Sequence, residues 1–168
     1  MSASNFGMNP TTIDPSAVQR AQLERVGGAC ASWFLWIAGL SIVNSVLAVS
    51  GAGLHFLFGL GVTEIVDAFA RHSGGTGAVL GLVVNGFLAG LFVLFWYFGK
   101  QGQMWAFFVG MGLYVVDGLI LLPFHAFLGA AFHLWVLYRL YQGYTTLSRF
   151  LAAQRVQMAA SGGPILPQ

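Results

Sequence analysis

Long apolar stretches alternate with short polar segments along most of the chain. Four of them are about as long as the roughly 20 residues that a helix needs to cross the hydrocarbon core of a bilayer. They cover residues 29–50, 77–99, 103–122 and 125–146. This pattern predicts an all-α integral membrane protein in which four transmembrane helices form a bundle.

A fifth stretch, residues 54–72, differs from the others because its second half is charged. Its apolar part ends near Val62, and Glu64, Asp67 and Arg71 follow. A charged side chain at the bilayer centre costs roughly 2.5–3.5 kcal/mol even on insertion scales. We therefore expect residues 54–72 to form a surface-lying or re-entrant interfacial helix between the first and second spans.

Asp14 and Pro15 are typical of a helix start, because an N-cap residue is followed by proline at the first helical position. They predict a short surface helix before the first span, and Gly27-Gly28 would permit a bend between the two. The predicted divisions are a cytoplasmic N-terminal segment 1–28, a transmembrane domain 29–150 and a cytoplasmic amphipathic or disordered tail 151–168.

Basic residues are distributed asymmetrically about the predicted spans. With four spans and a cytoplasmic N-terminus, only Arg71 lies on the outer side. The other basic residues lie at or near the cytoplasmic side: Arg20, Arg25, Lys100, Arg139, Arg149 and Arg155. Because cytoplasmic loops are enriched in Lys and Arg, both termini are predicted to be cytoplasmic. Helical spans favour a bacterial plasma (inner) membrane over an outer membrane, where barrels predominate.

Composition agrees with a lipid environment. Hydrophobic residues make up 57% of the chain and charged residues 7%, with a mean hydropathy of +0.76, whereas soluble domains carry about 25% charged residues. The net charge of +2 and the scattered basic residues do not predict a nucleic-acid partner. Cys30 is the only cysteine, which excludes a disulfide within the chain.

Each predicted span carries one strongly polar side chain at a similar depth. From the helical rise, Asn44 and Asp117 lie about 9 Å below the outer ends of their spans, Asn85 about 13 Å and His133 about 12 Å. One interpretation is structural, with interhelical hydrogen bonds that hold the spans together. The other is a buried site for a proton, a cation or a small polar ligand, in which Asp117 and His133 form a proton-accepting pair.

A second polar group, comprising Glu64, Asp67 and His125, is predicted toward the outer face. Imidazole together with carboxylates suits a divalent metal such as zinc. The alternative is that Asp67 pairs with Arg71 on a wet helix surface. No metal-binding motif is present and no cofactor is predicted, although a divalent metal, or a haem with His125 or His133 as axial ligand, is an alternative.

Glycines recur at four-residue spacing along the second predicted span. Gly77 and Gly81 lead to Asn85 on one face, and Gly86 and Gly90 form a second stripe. Small residues at this spacing let helix backbones approach closely in membranes. We expect this span to pack against neighbours on two sides, or to use part of this surface for a homodimer or a larger membrane complex.

No catalytic motif accompanies these features. The leading hypothesis is therefore a non-enzymatic membrane component or accessory subunit whose spans meet at the buried polar residues. One alternative is a proton- or ion-coupled carrier of small solutes that uses Asn44, Asn85, Asp117 and His133. A second alternative is a membrane-embedded metal-dependent enzyme with an outward-facing site.

Overall fold

The computed structural model describes residues 14–49, 75–122 and 127–162. These residues form four helices and no strand: α1 (Pro15–Val49), α2 (Gly75–Lys100), α3 (Met104–Leu121) and α4 (Phe127–Ser161). The prediction of an all-helical fold is confirmed for this part of the chain. The predicted interfacial helix 54–72 and the residues Glu64, Asp67 and His125 lie outside it.

Three of the helices are long and apolar enough to cross a membrane. The qualifying segments are Pro15–Leu47, Leu82–Lys100 and Met104–Leu121. They support a membrane protein and match the first three predicted spans. The fourth predicted span begins at residue 125, before the described part of α4, and its crossing stays a prediction.

The start of α1 follows the sequence prediction. Asp14 accepts hydrogen bonds from the backbone N–H of Ser16, at 2.9 Å, and from the Ser16 hydroxyl, also at 2.9 Å. A side-chain oxygen placed in this way satisfies an N–H that the first helical turn leaves free. The hydroxyl and the N–H of Ser16 also hold the pKa of the Asp14 carboxyl below its ordinary value.

The predicted surface helix is not a separate element. α1 continues without interruption through Gly27 and Gly28 into the first span. The reason lies in packing: a Cβ atom at Gly27 would lie 2.6 Å from the carbonyl oxygen of Lys100 and 2.7 Å from that of Gly99. Gly27 therefore allows α1 and the end of α2 to approach closely, and the helix is not interrupted there.

Each helix packs most extensively against two others. α1 packs most extensively on α2 and also contacts α4, while α3 contacts α4 and α2. The turn between α2 and α3 is short, and Gly102 in it has a φ of +81°, a backbone conformation that favours glycine. At the same end of the helices, Glu24 of α1 forms an ion pair with Lys100 of α2, with a nitrogen–oxygen distance of 3.3 Å.

Aromatic rings fill the middle of the helix assembly. Phe34 of α1 is fully buried, and its ring centroid lies 6.2 Å from that of Phe92, 5.9 Å from that of Phe95 and 5.5 Å from that of Phe107. Gly110 of α3 faces this ring, and a Cβ atom there would clash with it. The core therefore depends on a small residue beside a large one.

The predicted glycine stripe on α2 is divided between two environments. Asn85 and Ala89 lie on the buried face of the helix, whereas Gly86 and Gly90 are exposed and a Cβ atom at either would meet nothing within 4 Å. The exposed pair does not mediate packing among the described helices. A homodimer or larger complex through Gly77, Gly81, Gly86 and Gly90 stays a prediction.

Candidate functional site

All four predicted polar residues are buried, one on each helix. Asn44, Asn85, Asp117 and His133 are each less than 10% exposed. Helical spacing accounts for this: Asp117 falls between Tyr114 and Leu121 on the buried stripe of α3. The four residues lie on the faces that the helices turn toward one another, and not toward lipid.

Asp117 and His133 form a hydrogen-bonded pair between α3 and α4. Nε2 of His133 lies 2.8 Å from Oδ2 of Asp117, and both side chains are at least 95% buried. Nδ1 of the same ring lies 2.9 Å from the backbone carbonyl oxygen of Gly129, one turn earlier in α4. Both ring nitrogens of His133 are therefore hydrogen-bonded.

These two contacts determine where the proton of the imidazole lies. A carbonyl oxygen can only accept, so Nδ1 of His133 must carry a hydrogen and donate it to Gly129. The contact between Nε2 and Asp117 then needs one further proton, supplied either by a protonated carboxyl group or by an imidazolium ion. In both states the pair has no net charge and holds one proton between Nε2 and Oδ2.

The side chain of His133 also packs against two further residues of α3, Tyr114 and Gly118. Tyr114 stacks on the imidazole ring, with ring centroids 4.4 Å apart and planes 13° from parallel. Gly118 lies against the same ring, where an added Cβ atom would come within 3.3 Å of the imidazole. Tyr114 in turn makes an edge contact with Phe92 of α2, with centroids 6.1 Å apart. The pair is thus connected to the aromatic core.

A second set of polar contacts joins α1 to α2. Nδ2 of Asn85 donates to the Ser45 hydroxyl oxygen at 2.9 Å, and that hydroxyl donates to the backbone carbonyl of Ser41 at 3.0 Å. Asn44, also predicted, is buried beside Ser45 on α1. The Ser45–Asn85 hydrogen bond thus joins α1 to α2, as the Asp117–His133 hydrogen bond joins α3 to α4.

Ser45 and Tyr114 contribute to these contacts, although the sequence pattern did not select them. Ser45 bonds to its own helix and also accepts from Asn85. The four-residue spacing of Ser41 and Ser45 on the same helix was an available signal. The signal for Tyr114 was weaker: it precedes Asp117 by three residues on one helix face.

The metal hypothesis depends on residues outside the described ranges, namely Glu64, Asp67 and His125. Within residues 14–49, 75–122 and 127–162, no group of three or more His, Cys, Asp or Glu residues is arranged to hold a metal ion. A metal or haem iron at His133 would have to displace Asp117 or the Gly129 carbonyl from a ring nitrogen.

Aromatic and basic side chains meet at two places on the Lys100 side of the Asp117–His133 pair. The guanidinium carbon of Arg139 lies 5.3 Å from the ring centroid of Trp33, and the Trp33 ring makes an edge contact with Trp135 at 4.8 Å. The ammonium nitrogen of Lys100 lies 5.9 Å from the ring centroid of Trp96. Such contacts are typical of side chains at a membrane–water interface.

Searches against protein-family models, curated proteins and solved structures found no match to this chain.

Proposed function

We propose that this chain is a non-enzymatic multi-pass membrane protein whose four spans form a bundle, with α4 as the fourth span. The first part of α4, residues 127–138, contains no Asp, Glu, Lys or Arg. The buried residues of α4 between 129 and 140 are spaced by three and four, as in Gly129, His133, Val136 and Leu140, which supports packing of one face against other helices.

The distribution of charge supports an orientation with both termini in the cytoplasm of a plasma (inner) membrane. The ion pair between Glu24 and Lys100 brings the first part of α1 and the end of α2 to one side of the molecule. The basic residues of α4 begin at Arg139 and continue toward its C-terminus. Under the positive-inside rule, that side is cytoplasmic.

The Asp117–His133 pair is the observation that carries the proposed role of the polar residues. We propose that it fixes α4 against α3, because a hydrogen bond enclosed in apolar surroundings defines one relative position of the two helices. A pair without net charge also avoids the cost of an isolated ion in lipid. The protein would then act as a stable membrane component or as an accessory subunit of a larger assembly.

Two substitutions of Asp117 test this role. Asparagine can donate from Nδ2 to Nε2 of His133, so Asp117→Asn keeps the interhelical hydrogen bond. Alanine leaves Nε2 buried without a partner, which costs about 1–3 kcal/mol. We expect Asp117→Ala to lower the thermal midpoint in detergent clearly, while Asp117→Asn stays close to the wild type.

The matched control is Val116→Ala, which changes the neighbouring exposed side chain on α3. It should have a much smaller effect on the midpoint than Asp117→Ala. Equal midpoints for Asp117→Ala and the control would contradict a stabilising role for the pair.

A second candidate is a proton-coupled carrier, which the buried one-proton pair favours. The same variants separate the two roles, because Asp117→Asn retains the hydrogen bond but cannot exchange the carboxyl proton. In proteoliposomes with a pH-sensitive dye inside, a carrier would lose its proton flux on Asp117→Asn while keeping its thermal midpoint. If wild type and Asp117→Asn have equal flux, the carrier hypothesis is rejected and the structural proposal is unaffected.

A further inference from the structure

A second buried polar site lies between α1 and α2, formed by residues other than Asp117 and His133. Ser41 is fully buried and Asn85 is 2% exposed. Within the described ranges, Oγ of Ser41 and Oδ1 of Asn85 have no hydrogen-bond partner. Buried polar atoms in proteins are nearly always hydrogen-bonded, to protein groups or to bound water.

The surrounding hydrogen bonds fix the orientation of the Asn85 amide. The Ser45 hydroxyl has one hydrogen, which it donates to the carbonyl of Ser41. Its oxygen must therefore accept in the contact with Asn85, and only Nδ2 can donate there. Oδ1 of Asn85 is left as an acceptor, and turning the amide over would leave Nδ2 unpaired in its place.

The unpartnered hydroxyl of Ser41 is connected to this amide through Ser45. Ser41 precedes Ser45 by one turn on the same face of α1, so their Cβ atoms are about 5–6 Å apart. Asn85 touches Ser45 directly, at 2.9 Å. The unpaired acceptor therefore belongs to the amide that contacts Ser45, and the unpaired hydroxyl lies one helical turn from Ser45 on the same face of α1.

We infer that Ser41 and Asn85 bind a hydroxyl group, either a water molecule or the hydroxyl of a small neutral solute. Such a group can donate its hydrogen to Oδ1 of Asn85 and accept the hydrogen of Ser41. Buried waters typically make two to four hydrogen bonds of this kind. A cation fits less well, because Ser41, Ser45 and Asn85 carry no negative charge to offset it.

The sign of the stability change on Ser41→Ala tests this site. If the hydroxyl of Ser41 bonds to a ligand, its removal lowers the thermal midpoint in detergent, by roughly 2–4 °C. If the hydroxyl is buried without a partner, its removal raises the midpoint instead. An unchanged or raised midpoint overturns the proposal.

Ser32→Ala is the matched control. Ser32 also lies on α1, and its hydroxyl donates to a carbonyl of its own helix, that of Ala29, at 2.8 Å. The control measures the loss of a serine hydroxyl that needs no ligand. The midpoint of Ser41→Ala should fall below that of Ser32→Ala.

A double-mutant cycle tests whether one ligand joins the two residues. If a hydroxyl group bridges them, the effect of Ser41→Ala should shrink by at least half in an Asn85→Ala background, because the bridge is already lost. Additive effects would overturn the bridging arrangement. The loss of the Ser45–Asn85 bond cancels, because the Asn85→Ala single mutant and the double mutant both lack that bond.

Glycerol distinguishes water from a solute. A solute hydroxyl that binds only the folded protein raises its midpoint in a saturable way. The difference in midpoint between wild type and Ser41→Ala would then grow as glycerol is added. A constant difference would assign the site to water, because the general effect of glycerol on folding is the same for both proteins.

Discussion

The side chain of His133 is held by its own helix as well as by its neighbour. The carbonyl of Gly129, four residues earlier, accepts from Nδ1 at 2.9 Å, and this leaves Nε2 to face Asp117. The hydrogen bond inside α4 thus determines which ring nitrogen of His133 faces Asp117 across the two helices. Metal-binding histidines are oriented by comparable second hydrogen bonds.

This arrangement makes a prediction about the proton of His133. We expect Nδ1 to carry a hydrogen, because its described partner, the Gly129 carbonyl oxygen, can only accept. Nitrogen NMR of protein labelled at histidine would measure this, with His133→Gln used to assign the signal. A neutral ring protonated only at Nε2 would contradict the geometry.

Residue identity alone did not reveal which polar side chains bond to each other. Asn44, Asn85, Asp117 and His133 were predicted at similar depth, and all four are buried. The partner of Asn85, however, is the Ser45 hydroxyl. Depth follows from position along a helix, whereas pairing depends on how two helices are rotated and which rotamers they permit.

At the scale of the helix, glycines have two different roles. Gly27 and Gly143 lie where backbones meet: an added Cβ atom at Gly27 would contact the carbonyl of Lys100, and one at Gly143 would contact that of Cys30. Gly86 and Gly90 face open space. The four-residue spacing on α2 predicted close packing for Gly86 and Gly90, either within the chain or in a homodimer or larger complex. Among the described helices the close approaches occur elsewhere, and packing against another chain stays a prediction.

Alanine substitutions should separate these roles. Gly27→Ala places a methyl group against backbone atoms that cannot move aside, and overpacking of this kind costs roughly 1–3 kcal/mol. The adjacent Gly28→Ala is the matched control, because its Cβ atom would lie 3.7 Å from a Lys100 side-chain carbon, which is an ordinary contact. Thermal midpoints in detergent should fall for Gly27→Ala but not for Gly28→Ala.

For the exposed glycines Gly86 and Gly90, we expect alanine to have no destabilising effect. Gly86→Ala and Gly90→Ala should leave the stability of the monomer unchanged or raise it, because alanine is favoured over glycine within a helix by roughly 0.5–1 kcal/mol. If either substitution lowers the thermal midpoint as strongly as Gly27→Ala, that face of α2 is in contact with other protein groups.

At the scale of the whole molecule, two helices are much longer than a span requires. α1 and α4 each contain 35 residues, or about 52 Å at the helical rise, against a hydrocarbon core of about 30 Å. Leu147 of α4 is fully buried, and Leu23 of α1 packs on the same core. Both helices therefore continue beyond the span length as packed structure.

Labelling of single cysteines tests the proposed orientation. In a Cys30→Ser background, Ser16→Cys and Ala160→Cys place thiols on exposed positions near the start of α1 and the end of α4, and Leu122→Cys places one at the other end. In spheroplasts of a bacterial host, an impermeant maleimide should label only Leu122→Cys. After permeabilisation it should label all three. Labelling of Ala160→Cys in intact spheroplasts would show that α4 does not cross.

The apolar pattern was sufficient to predict the class of the protein and most of its helix positions. α2 and α3 correspond to the second and third predicted spans, and α1 begins at the predicted cap. These features depend on local properties, namely the length of an apolar run, the periodicity of a helix and the hydrogen bonds of one capping residue. A single sequence contains that information directly.

The contacts between helices required the tertiary structure. Gly27 is a close-packing residue within a continuous helix, Ser45 is the partner of Asn85, and the carbonyl of Gly129 sets the protonated nitrogen of His133. Each of these depends on atoms that different helices, or different turns of one helix, bring within about 3 Å. Such distances are set by the separation and rotation of packed helices, and the order of residues along the chain does not specify them.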